Sequence, residues 1–528
     1  MCRQIQDESK ARHRELGKAL LNASARGQLS EVRGLLAAGL TRLMSDTGAD
    51  PRYEMEEGKF KGLFPLFAAS EKGHIDVMQA LLEAGADVNQ VGGPYSVSSL
   101  YQAAAFNHPR AIALLVRNGG DVNLATSQGG TPLCIAAQNG HKEAVIALLE
   151  AKAAVNQAAN NGAGPVFMAA QNGYADVLKL LIKAGGDVNL AESQGGTPLF
   201  IAAQNGHKEA VIALLEAKAA VNQDRNDGVG PVFMAARDGH AYILKLLVQA
   251  GGDVNLASSD GATPLCIAAQ QGHKEAVIAL LEAKAAVNQA ANDGSGPVFM
   301  AAQNGHADVL KLLIEAGGDV NLADSEGCTP LYIAAQNGHK EAVIALLEAK
   351  AAVNQARNDG IGPVYMAAQQ GHADVLKLLI KAGGDVNLAE SQGCTPLYIA
   401  AQYGHKEAAI ALLEAKAAVN QASNDGAGPV FMAAQQGHAD VLKLLIEAGG
   451  DVNKVMEGGF SPLMIASQEG HIECVKILLS AGANALHKAD DGNTALGVAI
   501  HFKHLAVEAV LRAHIVNLEA ADIALGLH

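Results

Sequence analysis

Eleven prolines recur every 33 residues, at positions 132, 165, 198, 231, 264, 297, 330, 363, 396, 429 and 462. A fixed period of that length is the mark of one small supersecondary unit copied in tandem. A single copy carries about six large aliphatic side chains and buries them only by stacking on its neighbours. The expectation is therefore one stacked array, in place of the three or four separate domains that 528 residues would otherwise imply.

Composition agrees. The chain is 49% hydrophobic but only 4% aromatic and has no Trp, which suits thin layers of Ala, Leu, Val and Ile better than a deep core. Its formal charge is −15, from 54 acidic against 39 basic residues. Nucleic-acid affinity rests on a basic face, so no nucleic-acid partner is expected. Six cysteines are present. Cys134 and Cys266 share one repeat position, Cys328 and Cys394 another, while Cys2 and Cys474 stand alone. Equivalent sites well apart along an array do not bridge, and free thiols fit a reducing compartment. The start, MCRQIQDESKARHRELGKALL, shows no signal-peptide apolar run. Segments such as AVIALLEAKAAV meet charge before the roughly 18 apolar residues of a membrane span. A soluble cytoplasmic protein without membrane insertion is expected, with nuclear entry left open.

One unit reads TPLCIAAQNGHKEAVIALLEAKAAVNQAANNGA, from Thr131 to Ala163. Thr131 is suited to cap a helix and Pro132 to open it. Leu133, Ala136 and Ala137 then share one face. Gly140 stops this first helix. His141 and Lys142 open a second, with Val145, Leu148 and Leu149 as its expected buried stripe. Val155 and Asn156 lead into a polar segment whose Asn161-Gly162 forms a tight turn. The fold class expected is all-α: stacked helix-turn-helix pairs with hairpin-like loops.

These residues resemble the ankyrin repeat. The family's T-P-L, then A-A-x-x-G-H, a Leu-Leu pair and D-V-N are matched along most of the chain. With Pro65, Ser99 and Ala495 at the proline position, fourteen repeats run from about Gly62 to Ile515. The division expected is 1–61 for N-terminal capping helices and a long loop, 62–515 for the repeats and 516–528 for a tail. One departure stands out: after T-P-L the usual histidine is replaced by Cys134, Phe200, Cys266, Tyr332 and Tyr398. The resemblance implies an ankyrin solenoid that is no enzyme and takes no cofactor. It implies a monomeric scaffold or adaptor that binds proteins through its loops and the concave face of its first helices. A structural spacer or spring, and a regulatory inhibitor of an enzyme on another chain, are the alternatives.

A second period overlies the first. Units opening T-P-L and closing EAKAAVNQ alternate with units opening G-P-V and closing AGGDVNLA, a 66-residue super-repeat. Near-identity leaves few positions able to encode a partner. Those that differ include Arg225, Val229, Arg357 and Ile361 in the loops, and Arg237, Asp238 and Tyr403 at the ends of first helices. Arg and Tyr are frequent interface anchors, so these seven are the candidate partner-binding residues. The recurrent histidine after Gly140 and its equivalents is read as structural, since copies about 10 Å apart cannot share a metal ion. The glutamine column from Gln138 to Gln435 reads as a soluble face or a binding one. Cys134 and Cys266 read as small buried hydrophobes.

Two further expectations concern the loops. Family members are substrates of an asparagine hydroxylase that reads Leu, five residues, an acid, an apolar residue and Asn. The spans ending at Asn123, Asn189, Asn255, Asn321, Asn387 and Asn453 fit, whereas T-P-L units carry Ala154 or its equivalents where the acid belongs. Where G-P-V units place Gly185, Gly251, Gly317, Gly383 and Gly449, T-P-L units place Lys152, Lys218, Lys284, Lys350 and Lys416. A shared backbone path would put each lysine in a left-handed conformation.

Overall fold

The computed structural model describes residues 2–40 and 63–524. The long segment 40–61 thus lies outside the described residues except for Leu40. Thirty helices are described, with one short antiparallel pair of strands, Val91–Gly92 against Val97–Ser98. The chain divides into two compact units, Met1–Ser259 and Asp260–His528. In the first, an N-terminal pair (Cys2–Arg26 and Leu29–Leu40) packs on the pair Pro65–Lys72 and Ile75–Glu83, and five more pairs follow, ending at Ala241–Gln249. The second holds eight pairs, from Pro264–Gln271 with Lys274–Glu282 to Ala495–His501 with Leu505–Ala524. The last helix runs on past Ile515, because VNLEAADIA contains no Gly or Pro to stop it.

Each pair forms for local reasons. Thr197 Oγ1 accepts the Phe200 N–H at 3.1 Å and Pro198 takes the first helical position. Leu199, Ala202 and Ala203 are fully buried, and Gly206 turns the chain at φ 77°. The second helix, Lys208–Glu216, buries Ala210, Val211 and Leu214. The stripe in the Lys142–Glu150 helix is the same: Ala144, Val145 and Leu148 are buried, whereas Leu149 is only half-buried. That corrects the expectation for Leu149, which lies about 100° further round the helix than Leu148.

The 66-residue alternation has a packing cause. In a G-P-V unit a Cβ on Gly164 would stand 2.9 Å from Leu190 Cδ2, and one on Gly186 would stand 2.7 Å from Val166 Cγ2. The glycines are small because Leu190 and Val166 occupy the space. In a T-P-L unit those partners are Thr131 with Gln157 and Ala153 with Leu133. Each unit type is thus a matched set of large and small residues.

Two side-chain columns join successive repeats. His207 Nε2 donates to the Gln171 carbonyl at 3.0 Å, and His339 to the Gln303 carbonyl at 3.0 Å. Equivalent bonds recur within each compact unit, from His108 to His240 in the first and from His306 to His504 in the second. The ring also covers the left-handed glycine of the preceding repeat: a Cβ on Gly173 would lie 2.5 Å from His207 Nδ1. The histidines are structural, and among the described residues no cluster of His, Cys, Asp and Glu could hold a metal ion. The asparagines form the other column. Asn156 Oδ1 accepts the Asp187 N–H at 2.8 Å and its amide donates to the Gly185 carbonyl at 3.2 Å. Asn189 Oδ1 accepts the Ala220 N–H at 2.8 Å, while Asp187 receives the Asn189 backbone N–H at 2.8 Å.

Candidate protein-interaction surface

In the first compact unit, Arg225 and Val229 close one turn: the Arg225 N–H donates to the Val229 carbonyl at 3.0 Å. The guanidinium does not reach outward. It holds Asp227 at 2.5 Å and lies over the Phe200 ring, 5.5 Å from its centroid. Arg237 ends the next first helix and likewise grips its neighbour, with Nε 3.0 Å from Asp238 Oδ1. These pairs orient each arginine but leave roughly a third of each side chain in solvent (31% and 38%). Among the described residues no bond joins the Arg225 turn to the Arg237 pair.

In the second compact unit the same arrangement recurs in the turn that contains Ile361. Arg357 Nε lies 3.1 Å from Asp359, whose carboxyl is held below its ordinary range by that hydrogen bond. The Arg357 N–H donates to the Ile361 carbonyl at 2.9 Å. Tyr403 sits at the end of a first helix, 52% exposed, with its ring stacked on His405. It presents an aromatic face held by a neighbour.

Burial keeps the thiols of Cys134 and Cys328 in the protonated form. Burial pushes Cys134 up, and its Sγ donates to the Gln157 carbonyl at 3.5 Å. Burial, with help from Asp324, pushes Cys328 to about 11. Such groups stay protonated near neutral pH and are poor nucleophiles. The lysines on the outer helices reach across to the next repeat, as Lys142 does to Asp176 at 3.2 Å, but both partners are exposed and the pair adds at most about 1 kcal/mol. No helix among the described residues is long and apolar enough to cross a membrane.

Residue-by-residue reading of the sequence missed a coupling between two columns. The third residue of each T-P-L helix varies with a loop residue further along: Cys134 with Ala159, Phe200 with Arg225, Cys266 with Ala291, Tyr332 with Arg357, Tyr398 with Ser423. Aromatic rings come with long or polar partners, and cysteine comes with alanine. Both columns are visible in the sequence; that they touch is visible only in the fold.

Stacked two-helix units of 33 residues, tied by histidine and asparagine columns, define the class as a helical tandem-repeat solenoid. The family model described as ankyrin repeats in three copies matches residues 100–192, 166–258, 199–291, 232–324, 284–357, 350–425 and 430–522, and the single ankyrin repeat matches 61–92. The chain belongs to the ankyrin-repeat family. Ankyrin repeats are in general modules of protein–protein interaction and typically carry no catalysis.

Proposed function

We propose that this protein is a monomeric, non-catalytic scaffold or adaptor of the cytoplasm, recognising protein partners through its loops and the ends of its first helices. One observation carries the reading. The repeats are near copies, and where they diverge at partly or fully exposed positions they place Arg237-Asp238 and Tyr403, residues suited to anchor an interface. Five free cysteines among the described residues support a reducing compartment. Affinity capture from the native cell tests the reading. A sharply enriched partner supports a scaffold, and its absence favours a spacer. Arg237→Ala and Tyr403→Ala are each expected to weaken the captured interaction by about 1–2 kcal/mol while leaving the melting temperature unchanged. If both variants bind as the parent does, recognition lies elsewhere.

Asparagine hydroxylation is proposed for alternate repeats, at Asn123, Asn189, Asn255, Asn321, Asn387 and Asn453. The acid that completes the recognised pattern is present there, and in Asp187 it is already bonded to the Asn189 backbone. Mass spectrometry after treatment with the hydroxylase should find one added oxygen at Asn189 and none at Asn156. The reverse pattern would contradict the proposal.

A further inference from the structure

A pocket lies beside the Cys134–Ala159 pair. It measures about 440 Å³ and is lined by three successive first helices and two loops, with walls from Tyr101, Cys134 and Met168 and a rim that includes the amides of Gln128, Gln138 and Asn161. Its volume lies in the range of small-ligand sites. No residue that lines it carries a charge.

The next super-repeat shows what fits such a space. One super-repeat on, Phe200 replaces Cys134 and is only 3% exposed. Its ring reaches the backbone there: a Cβ on Gly196 would stand 3.5 Å from Phe200 Cδ1. At the equivalent Gly130, the nearest aromatic atom is Tyr101 Cε2 at 3.8 Å, contributed by the opposite wall. Arg225, where the pocket has Ala159, lies over the Phe200 ring and pairs with Asp227, where the pocket has Asn161. The replacements are concerted. The ring, the cation above it and the carboxylate that holds the cation are all absent together, so the site has lost its internal occupant without retaining an unpaired charge.

We propose that the pocket beside Cys134 is a binding site for a neutral aromatic side chain, tyrosine or phenylalanine, projected by a partner polypeptide. The fold itself supplies the precedent, since Phe200, Tyr332 and Tyr398 occupy the corresponding place from within. The apolar walls take the ring, and the amide rim accommodates a phenol hydroxyl or a peptide backbone. A charged side chain would be desolvated there with no counter-ion. The proposal rests on the reading of the chain as a protein-binding scaffold and names one of its recognition pockets.

The test uses the full chain and three probes, N-acetyl-tyrosinamide, N-acetyl-phenylalaninamide and N-acetyl-lysinamide, with binding read by saturation-transfer NMR. The two aromatic probes are expected to give signals that the lysine probe does not. A filled variant, Cys134→Phe with Ala159→Arg and Asn161→Asp, copies the ring, cation and carboxylate of the neighbouring super-repeat. Aromatic binding in it should fall about tenfold or more. The reciprocal variant, Phe200→Cys with Arg225→Ala and Asp227→Asn, should gain aromatic binding, and it keeps the proposal testable should the first variant misfold. Equal signals from parent and filled variant, or equal signals from the lysine probe, would overturn the pocket assignment. That failure is separable from failure of the scaffold reading, because a captured partner that binds parent and filled variant equally leaves the scaffold standing and removes only the pocket.

Discussion

Gly173→Ala is expected to destabilise the segment between residues 165 and 216 by about 1.5–3.5 kcal/mol. Two causes add. Gly173 has φ 74°, a left-handed conformation that costs a residue with a Cβ about 1–2 kcal/mol. The new Cβ would also meet the His207 ring at 2.5 Å, and that ring is fixed by its hydrogen bond to the Gln171 carbonyl at 3.0 Å. Displacing it removes one of two donors to that carbonyl, the Asn205 amide remaining at 2.8 Å, a loss of about 0.5–1.5 kcal/mol. Gly185→Ala separates the causes. Gly185 has φ 88°, and a methyl group there would find nothing within 4 Å, so only the conformational part applies, about 1–2 kcal/mol.

Asn107 shows how the same junction tolerates a side chain. It occupies the equivalent place with φ 56°, and its Oδ1 accepts the Ala144 N–H at 3.1 Å while its amide donates to Glu143 at 3.1 Å. His141 keeps its bond to the Ala105 carbonyl at 2.9 Å. Gly173→Asn should therefore be milder than Gly173→Ala, since Ala210 and Glu209 offer the same two partners. Hydrogen exchange of the amides in Lys208–Glu216 measures the local effect. Equal protection in the alanine variant and the parent would mean that the ring does not lock the junction.

The architecture was legible because the period sets it. Proline, glycine and histidine each mark a backbone event, and their recurrence every 33 residues through most of fourteen copies leaves one solution. The left-handed lysines were legible for the same reason, since alignment of Lys152 with Gly185 exposes the backbone they share. What lay hidden was complementarity between positions far apart in one repeat. Leu190 explains Gly164 and Val166 explains Gly186 only once the loop is folded back on the helix. The arginines illustrate the same limit. Arg225 and Arg357 stand out in the sequence as candidate partner-binding residues, but in the fold each is held by an aspartate two residues away and each accompanies an aromatic residue at the equivalent position of its repeat, Phe200 and Tyr332. Side-chain identity gave the candidates, and geometry decided how much of each remains for a partner.

Replacing all five left-handed lysines by glycine is expected to stabilise the protein by about 2.5 kcal/mol in total. Lys152, Lys218, Lys284, Lys350 and Lys416 have φ between 61° and 63°. Their glycine counterparts lie at 88–90°, so the lysine Cβ holds the loop nearer the left-handed helical minimum. The hydrogen bonds are otherwise the same: Lys152 N–H to Leu149 O at 2.9 Å and Ala153 N–H to Leu148 O at 3.0 Å match Gly185 to Ile182 at 3.0 Å and Gly186 to Leu181 at 2.9 Å. The conformation costs each lysine about 1–2 kcal/mol. Glycine gives back about 1 kcal/mol through its freer unfolded chain, which against the middle of that cost, about 1.5 kcal/mol, leaves about 0.5 kcal/mol per site. Among the described residues no ion pair opposes the change, because the lysine pairs of these repeats are made by Lys142, Lys274 and Lys340. Removing five positive charges does take the formal charge from −15 to −20, so the comparison belongs at about 0.15 M salt, where surface repulsion is screened within about 8 Å. Unfolding entropy of about 2.1 cal/mol/K per residue makes the melting shift only about 2 °C if the whole chain unfolds together. It is larger if subsets of repeats unfold separately, and a denaturant midpoint resolves it better. A quintuple variant that unfolds earlier than the parent would show that these lysines stabilise their loops through the side chain, and the left-handed cost would have to be smaller than that contribution.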